Sequence, residues 1–357
     1  MLRQFFKGSL AFTAICLVLA AWLGWSQTAS MAGMLQVLWI VIVLSVLEIS
    51  LSFDNAVVNA SVLKDMDPVW KRRFLTWGMV IAVFGMRILF PLAVVGITAH
   101  LGPLEAVRLS LRDPETYERL VSSAHLAISG YGGAFLAMIG IQFFFDSDKE
   151  VHWIGTIERR LVHFGNVDAF GLGLLLLVLY LISRWLPVEQ AYTFLTAGIM
   201  GIATYIAVEA IGHWLERHDS KAAAGAVGGA VKAGLGGFIY LNVLDASFSF
   251  DGVIGAFALS NNMLIIALGL SIGAMWVRSL TIMLVEKGTL AEYLYLEHGA
   301  FWAILALAAI MLISPGYAVS ETVTGVIGAV LIAAALGWSI RQRRRDAREA
   351  APEGNSA

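Results

Sequence analysis

The chain has 357 residues, 59% of them hydrophobic and only 14% Asp, Glu, Lys or Arg, with a mean hydropathy of +0.77. Soluble domains carry about 25% charged residues, so this chain cannot coat a water-facing surface, and a soluble enzyme, a disordered chain and a secreted disulfide scaffold are disfavoured. Lys+Arg 24 against Asp+Glu 26 gives −2, which points to no nucleic-acid partner, and the single cysteine, Cys16, leaves no internal disulfide.

A bilayer core of about 30 Å takes about 20 apolar residues per helix. Such runs lie at 9–25, 35–62, 74–99, 123–145, 169–186, 191–213, 233–260, 263–285, 299–314 and 318–340. The expected fold is all-α: a polytopic membrane protein with about ten transmembrane helices and the lipid bilayer as its first partner. Arg3 and Lys7 before an apolar stretch also suit a signal peptide, but no small-x-small cleavage site follows at once, so an uncleaved first helix is preferred. Residues 100–122, with Pro103 and Pro114, read as a partly helical loop, and 146–168 as a helix lying at the interface. The Ala/Gly-rich 222–237 reads as a connector or the start of a close-packing helix, and 341–357 as a basic, disordered cytoplasmic tail.

Positive charge tests the count, because short cytoplasmic loops retain Lys and Arg. With ten helices and the N-terminus inside, only Arg108, Arg112, Arg119 and Arg184 fall outside, and Arg87, Lys232 and Arg278 lie within or at the edge of spans. The other 17 of the 24 basic residues are on the inner side. Both termini are therefore expected in the cytoplasm.

The most informative feature is a repeat. "EISLSFDNAVV" begins at Glu48 and "DASFSFDGVIG" at Asp245, so Glu48, Ser50, Ser52, Phe53 and Asp54 align with Asp245, Ser247, Ser249, Phe250 and Asp251. Gly78 and Arg87 then match Gly269 and Arg278 with the same nine-residue gap. The motif helices are the second and seventh, an odd separation, so they run in opposite directions. Two inverted-topology five-helix repeats follow, 1–186 and 187–340, a plan on which transporters place their sites between the repeats. Glu48 and Asp54 are six residues apart, about 240° around an unbroken helix, so sharing one face requires a distortion. The neighbouring serines, with Gly252 and Gly255, tolerate one.

Four intramembrane carboxylates are costly, at least ~2.5–3.5 kcal/mol each near the centre. Arg87 and Arg278 are the available fixed cations, which leaves the cluster about two negative charges from neutral. A divalent cation supplies that difference. Glu48, Asp54, Asp245 and Asp251 with the Asn55 amide make an all-oxygen ligand set suited to Mn²⁺, Mg²⁺ or Ca²⁺. Ser52, Ser249, Asn59, Arg87 and Arg278 are the supporting residues. A purely structural role, with the acids paired to the two arginines, is the plainer alternative, and a proton relay can coexist with metal exchange. Glu209 and His213 read as an interfacial pair, and His125, Glu297 and His298 as solvated helix ends. No P-loop, dinucleotide, HExxH or GxSxG signature appears, so neither ATP coupling nor a familiar hydrolase is supported and an enzyme is not expected. A membrane-embedded aspartyl hydrolase has only the intramembrane acids in its favour.

"LEISLSFDNAVV" and "LDASFSFDGVIG" resemble the TerC-like (tellurium resistance) family of bacterial integral membrane proteins, and the first half, with "FFFDSDKEVHWIG" from Phe143, is similar to a branch known only as a domain of unknown function. Members are implicated in manganese efflux. The resemblance implies an inner-membrane exporter of divalent metal ions, Mn²⁺ first, with the ion as cargo rather than tightly bound cofactor and with Glu48, Asp54, Asn55, Asp245 and Asp251 at the motif positions. Gly252 stands where the first motif has Asn55, so a symmetric site with two amides is not available. The runner-up is a non-transporting membrane anchor of a tellurite or envelope-stress complex. A homodimer or stress-resistance partner proteins are compatible with either reading.

Overall fold

The computed structural model describes residues 2–78, 80–146, 151–165, 169–219, 234–257, 259–317 and 319–349. Every described element is helical, and the protein is an all-α, multi-pass membrane protein. This follows from the solvent: with no water in hydrocarbon, a chain this apolar must satisfy its backbone hydrogen bonds within each helix.

The first span is α1 (Leu2–Thr28) and the second is divided into α2 (Met31–Leu51) and α3 (Phe53–Leu63). A third rod begins with α4 (Pro68–Arg73), runs π-helical over Phe74–Gly78 and Ile81–Leu89, and ends as α5 (Phe90–Thr98). Two amphipathic helices, α6 (Pro103–Arg112) and α7 (Pro114–Ser123), lead into α8 (His125–Phe145). Next come α9 (Gly155–Gly165), α10 (Phe170–Ser183), α11 (Val188–Asp219) and α12 (Leu235–Phe257). The chain continues through α13 (Met263–Glu286), the short α14 (Thr289–Glu292), α15 (Leu296–Ile313) and α16 (Glu321–Glu349).

All ten expected spans coincide with helices. Among the described residues, eight helical rods are long and apolar enough to cross a membrane. The two others are α10, short at 14 residues, and α12, which carries Asp245 and Asp251 in its interior. Helix starts are set by side chains outside the apolar runs. Ser30 accepts from Gly33 N at 3.1 Å, Asp67 from Val69 N at 2.8 Å with Pro68 in the first turn, and Asn262 from Leu264 N at 2.9 Å.

The expected disordered tail is corrected: α16 stays helical through Glu349. Its Gln, Arg, Ala and Glu residues are good helix formers, and Gln342 bonds Asp346 one turn on at 2.9 Å. Residues 350–357 lie outside the described residues, as do 220–233, most of the Ala/Gly-rich stretch, and with it Lys232.

α8 is the hub, packed against α10, α11, α12 and α15. Its glycines permit this, since a Cβ at Gly130 would lie 2.8 Å from Phe194 O and one at Gly133 2.9 Å from Leu312 Cγ. α3 packs on α13 and α15, while α12 packs on the π-helical rod and α8. Contacts at the helix ends fix directions. Lys64, just past α3, pairs with Glu297 at the start of α15 at 2.9 Å, and Ser314, just past α15, bonds Ser129 in the first turns of α8. Phe257, the last residue of α12, packs its ring at a tilt against Tyr117 of α7, beside Val95 of α5 and Met263 of α13. The pairs α3 and α12, the π-helical rod and α13, and α8 and α15 therefore each run antiparallel.

Candidate functional site

Ser52 is the break in the second span. Its N–H still bonds Glu48 O at 3.0 Å, but its backbone leaves the helical region (φ −104°, ψ 15°) and α3 starts at Phe53. The composition around it explains this. Ser50 Oγ bonds back to Val46 O at 2.8 Å, and Ser52 Oγ donates to Glu48 Oε1 at 2.8 Å, so both hydroxyls are spent on the turn that the distortion opens. The matching α12 is continuous through Asp245, Ser247 and Ser249. The expected distortion is present in one copy of the motif only.

Glu48 is 1% exposed and lies where the two motif helices meet α13. Two glycines make room for it: a Cβ at Gly273 would overlap Glu48 Cβ and Cγ, and one at Gly252 would stand 3.0 Å from Glu48 Oε2. Gly252 thus replaces the amide of the first motif because the partner motif's glutamate needs the space. Arg87 pairs with Glu48 Oε1 and donates to Ser249, through both its hydroxyl and its carbonyl oxygen, the latter at 3.0 Å. This pair ties the π-helical rod to both motif helices, each residue about midway along its rod.

Two polar cavities flank Glu48. The first, about 50 Å³, is lined by Glu48, Ser52, Asn55, Asn59, Arg87, Asp245, Ser249, Arg278 and Thr281, with apolar walls from Phe74, Val83 and Val277. In it Asn59 Nδ2 donates to Asp245 Oδ1 at 2.8 Å and Arg278 Nη1 to Phe74 O at 3.3 Å. The Oδ1 atoms of Asn55 and Asn59 are buried without a hydrogen-bond partner, as are Arg87 Nε and Arg278 Nη2. Unmet acceptors beside a carboxylate are an unusual arrangement in a protein interior, where buried polar atoms are nearly always paired. The second cavity, about 40 Å³, is lined by Glu48, Ser50, Ser52, Asp54, Gly252, Thr324, Gly325 and Gly328. Asp54 is 6% exposed, accepts the Asn55 N–H at 2.8 Å, and has no cationic partner among the described residues.

The sequence-derived set is therefore divided. Glu48, Asn55, Asn59, Asp245, Ser249, Arg87 and Arg278 meet at the first cavity; Asp54 faces the second; Glu48 and Ser52 border both. Asp251 lies in α12, but its side chain is outside the described residues. Among the described residues no group of three or more His, Cys, Asp or Glu side chains is assembled closely enough to hold a metal.

Away from these cavities, Glu158 of α9 was missed in the sequence. It is 1% exposed, accepts from Trp302 Nε1 at 2.9 Å and from the backbone N–H groups of Trp153 and Ile154 at 2.8 and 3.2 Å, and has His152 and His298 within 4 Å. His298 is buried, not a solvated helix end: it bonds Val151 O at 2.8 Å and packs edge-on against Phe143. The signal available was Trp302 and His298 one turn apart on α15, facing an acid in an otherwise basic interfacial helix. Glu209 faces Tyr205 and Tyr240, and the side chain of His213 lies outside the described residues.

No curated protein and no solved structure matches the chain. A family model matches residues 53–346, a stretch that starts just after Glu48 and Ser52 and holds Asp54, Asn55, Asn59, Arg87, Asp245, Asp251 and Arg278. The chain belongs to that family, described as protein of unknown function (DUF475).

Proposed function

We propose that the protein is a carrier for a small divalent cation, with Mn²⁺ as the first candidate, working by alternating access between two inverted repeats. The observation that carries this reading is the first cavity: Asp245 and Glu48 with the unpaired amide oxygens of Asn55 and Asn59, gathered along the middle of apolar helices. Carboxylate plus amide oxygen is hard-ion chemistry. Glu48 is balanced by Arg87 and Asp245 faces Arg278, which leaves Asp54, beside Glu48 in the second cavity, as a carboxylate with no cation among the described residues for a divalent guest to neutralise. Antiparallel pairing of the two motif helices, and of the helices after them, supports the inverted repeat. The motif resemblance to TerC-like proteins supports metal efflux and Mn²⁺. Both termini lie in the cytoplasm of a bacterial inner membrane on this reading, supported by the clustering of basic loops on one side.

The test is equilibrium Mn²⁺ binding to purified protein. Wild type binds, and Asp245→Asn weakens binding by about tenfold or more, the order expected for losing one charged ligand. A folded wild-type protein that takes up no divalent ion at millimolar concentration removes the reading.

The second reading, a non-transporting membrane anchor, is favoured by the closed Glu48–Arg87 pair and by the lack of an assembled cluster of three acid or imidazole groups among the described residues. It predicts that the charge-swapped double variant Glu48→Arg/Arg87→Glu keeps full function. The transport reading predicts that it does not.

A further inference from the structure

The two cavities share one wall. Glu48 and Ser52 border both, Asp54 belongs only to the second, and Arg87, Asp245, Asn55 and Asn59 only to the first. An ion crossing from Asp54 to Asp245 through this shared wall passes Glu48. Arg87 occupies that position, because its Nη2 pairs with Glu48 Oε1 while Nη1 is anchored on Ser249 of the opposite motif helix.

Three features make the hold displaceable. Arg87 engages one carboxylate oxygen rather than both, so the stronger forked geometry is absent. Glu48 Oε1 is shared with Ser52, and Oε2 is turned toward Gly252, on the side of the second cavity. Arg87 Nε is buried without a partner, and the residue sits in the π-helical stretch Ile81–Leu89. π-Helical turns are rare and concentrate at functional sites. Relaxation to α geometry by one residue turns a side chain by about 100°, enough to carry a guanidinium off its carboxylate.

We propose that Arg87 is a tethered counter-cation that substitutes for the cargo: it seals the passage between the two cavities by neutralising Glu48, and a passing divalent ion displaces it. This rests on the transport reading above. The occupied pair spares the empty carrier an uncompensated charge at Glu48 while it reorients, and the competition rejects ions too weakly charged to displace a guanidinium.

The experiment measures Mn²⁺ binding to purified wild type, Arg87→Gln and Arg87→Lys, each checked for a cooperative thermal transition. With its competitor removed, Glu48 retains the ion, so Arg87→Gln binds about tenfold tighter or more. Arg87→Lys keeps the charge but cannot hold Glu48 and Ser249 together, and it binds about two- to fivefold tighter. The lysine variant decides the matter if the glutamine variant does not fold. Folded Arg87 variants that bind as wild type does, or more weakly, overturn the proposal while leaving wild-type binding, and the transport reading, in place. A wild type and variants that all bind nothing remove both.

Discussion

Glu48 presents its two oxygens to different surroundings: Oε1 to Arg87 and Ser52, Oε2 to the backbone of Gly252. Its position between Gly252 and Gly273 makes those glycines close-approach positions, and their substitution is predicted to cost stability in order of overlap. Gly273→Ala places a Cβ onto Glu48 and 2.9 Å from Ser45 O, so it lowers stability by about 1–3 kcal/mol, and Gly252→Ala by less. Thermal melting of the purified variants measures the order. Asp54 differs, because its carboxylate has backbone donors and no cation among the described residues. Asp54→Asn is predicted to melt at or above the wild-type temperature, since it removes a buried charge without a partner, and a clear loss of stability would assign Asp54 a structural role. Part of this was legible in the sequence. The duplicated acids pointed to the helices that line the two cavities, and the six-residue phase of Glu48 against Asp54 asked for a distortion, which the structure has at Ser52. The division of labour was not legible, since which acid meets which arginine depends on the spacing between rods, which no residue pattern encodes.

The elements carry the same lesson. Ten apolar runs became ten helical rods because length and hydropathy alone fix a helix in hydrocarbon. The π-helical course of Phe74–Gly78 and Ile81–Leu89 was not legible, because its residues are as apolar as those of an α-helical span and the extra width is set by packing on α12 and α13. Glu158 was hidden for the opposite reason: an acid among the charges of an interfacial helix reads as solvated until Trp302 and the Trp153 and Ile154 amides are seen to converge on it. That carboxylate pins α9 to α15. Glu158→Ala leaves three part-buried donors unpaired, each costing up to about 1–3 kcal/mol. The variant is predicted to expose Arg159 and Arg160 to trypsin several-fold faster than wild type, while Glu158→Gln, which keeps one of the two acceptor oxygens, falls between the two. Equal cleavage rates for Glu158→Ala and wild type would show that α9 is held by other contacts.

At the scale of the whole molecule, the antiparallel pairs place the ends of α3, α9 and the start of α15 on one side, and α7 with the end of α12 on the other. On the proposed reading the first side, where the basic loops cluster, is the cytoplasmic one. In a Cys16→Ser background, single cysteines at Asp65 and Arg344 are predicted to react with an impermeant thiol reagent only after the membrane is opened, and one at Glu115 in intact cells. The reverse pattern would invert the topology. Within that frame, the central claim is that the carboxylates on the antiparallel motif helices move a divalent ion across the bilayer. The most direct measurement is Mn²⁺ uptake into proteoliposomes carrying an internal metal-quenched dye. Wild type is predicted to quench the dye at a rate that saturates with Mn²⁺, and Asp54→Asn and Asp245→Asn, folded and inserted to the same level, to fall to the rate of empty vesicles. Wild-type vesicles no faster than empty ones, or both variants as fast as wild type, would contradict the account.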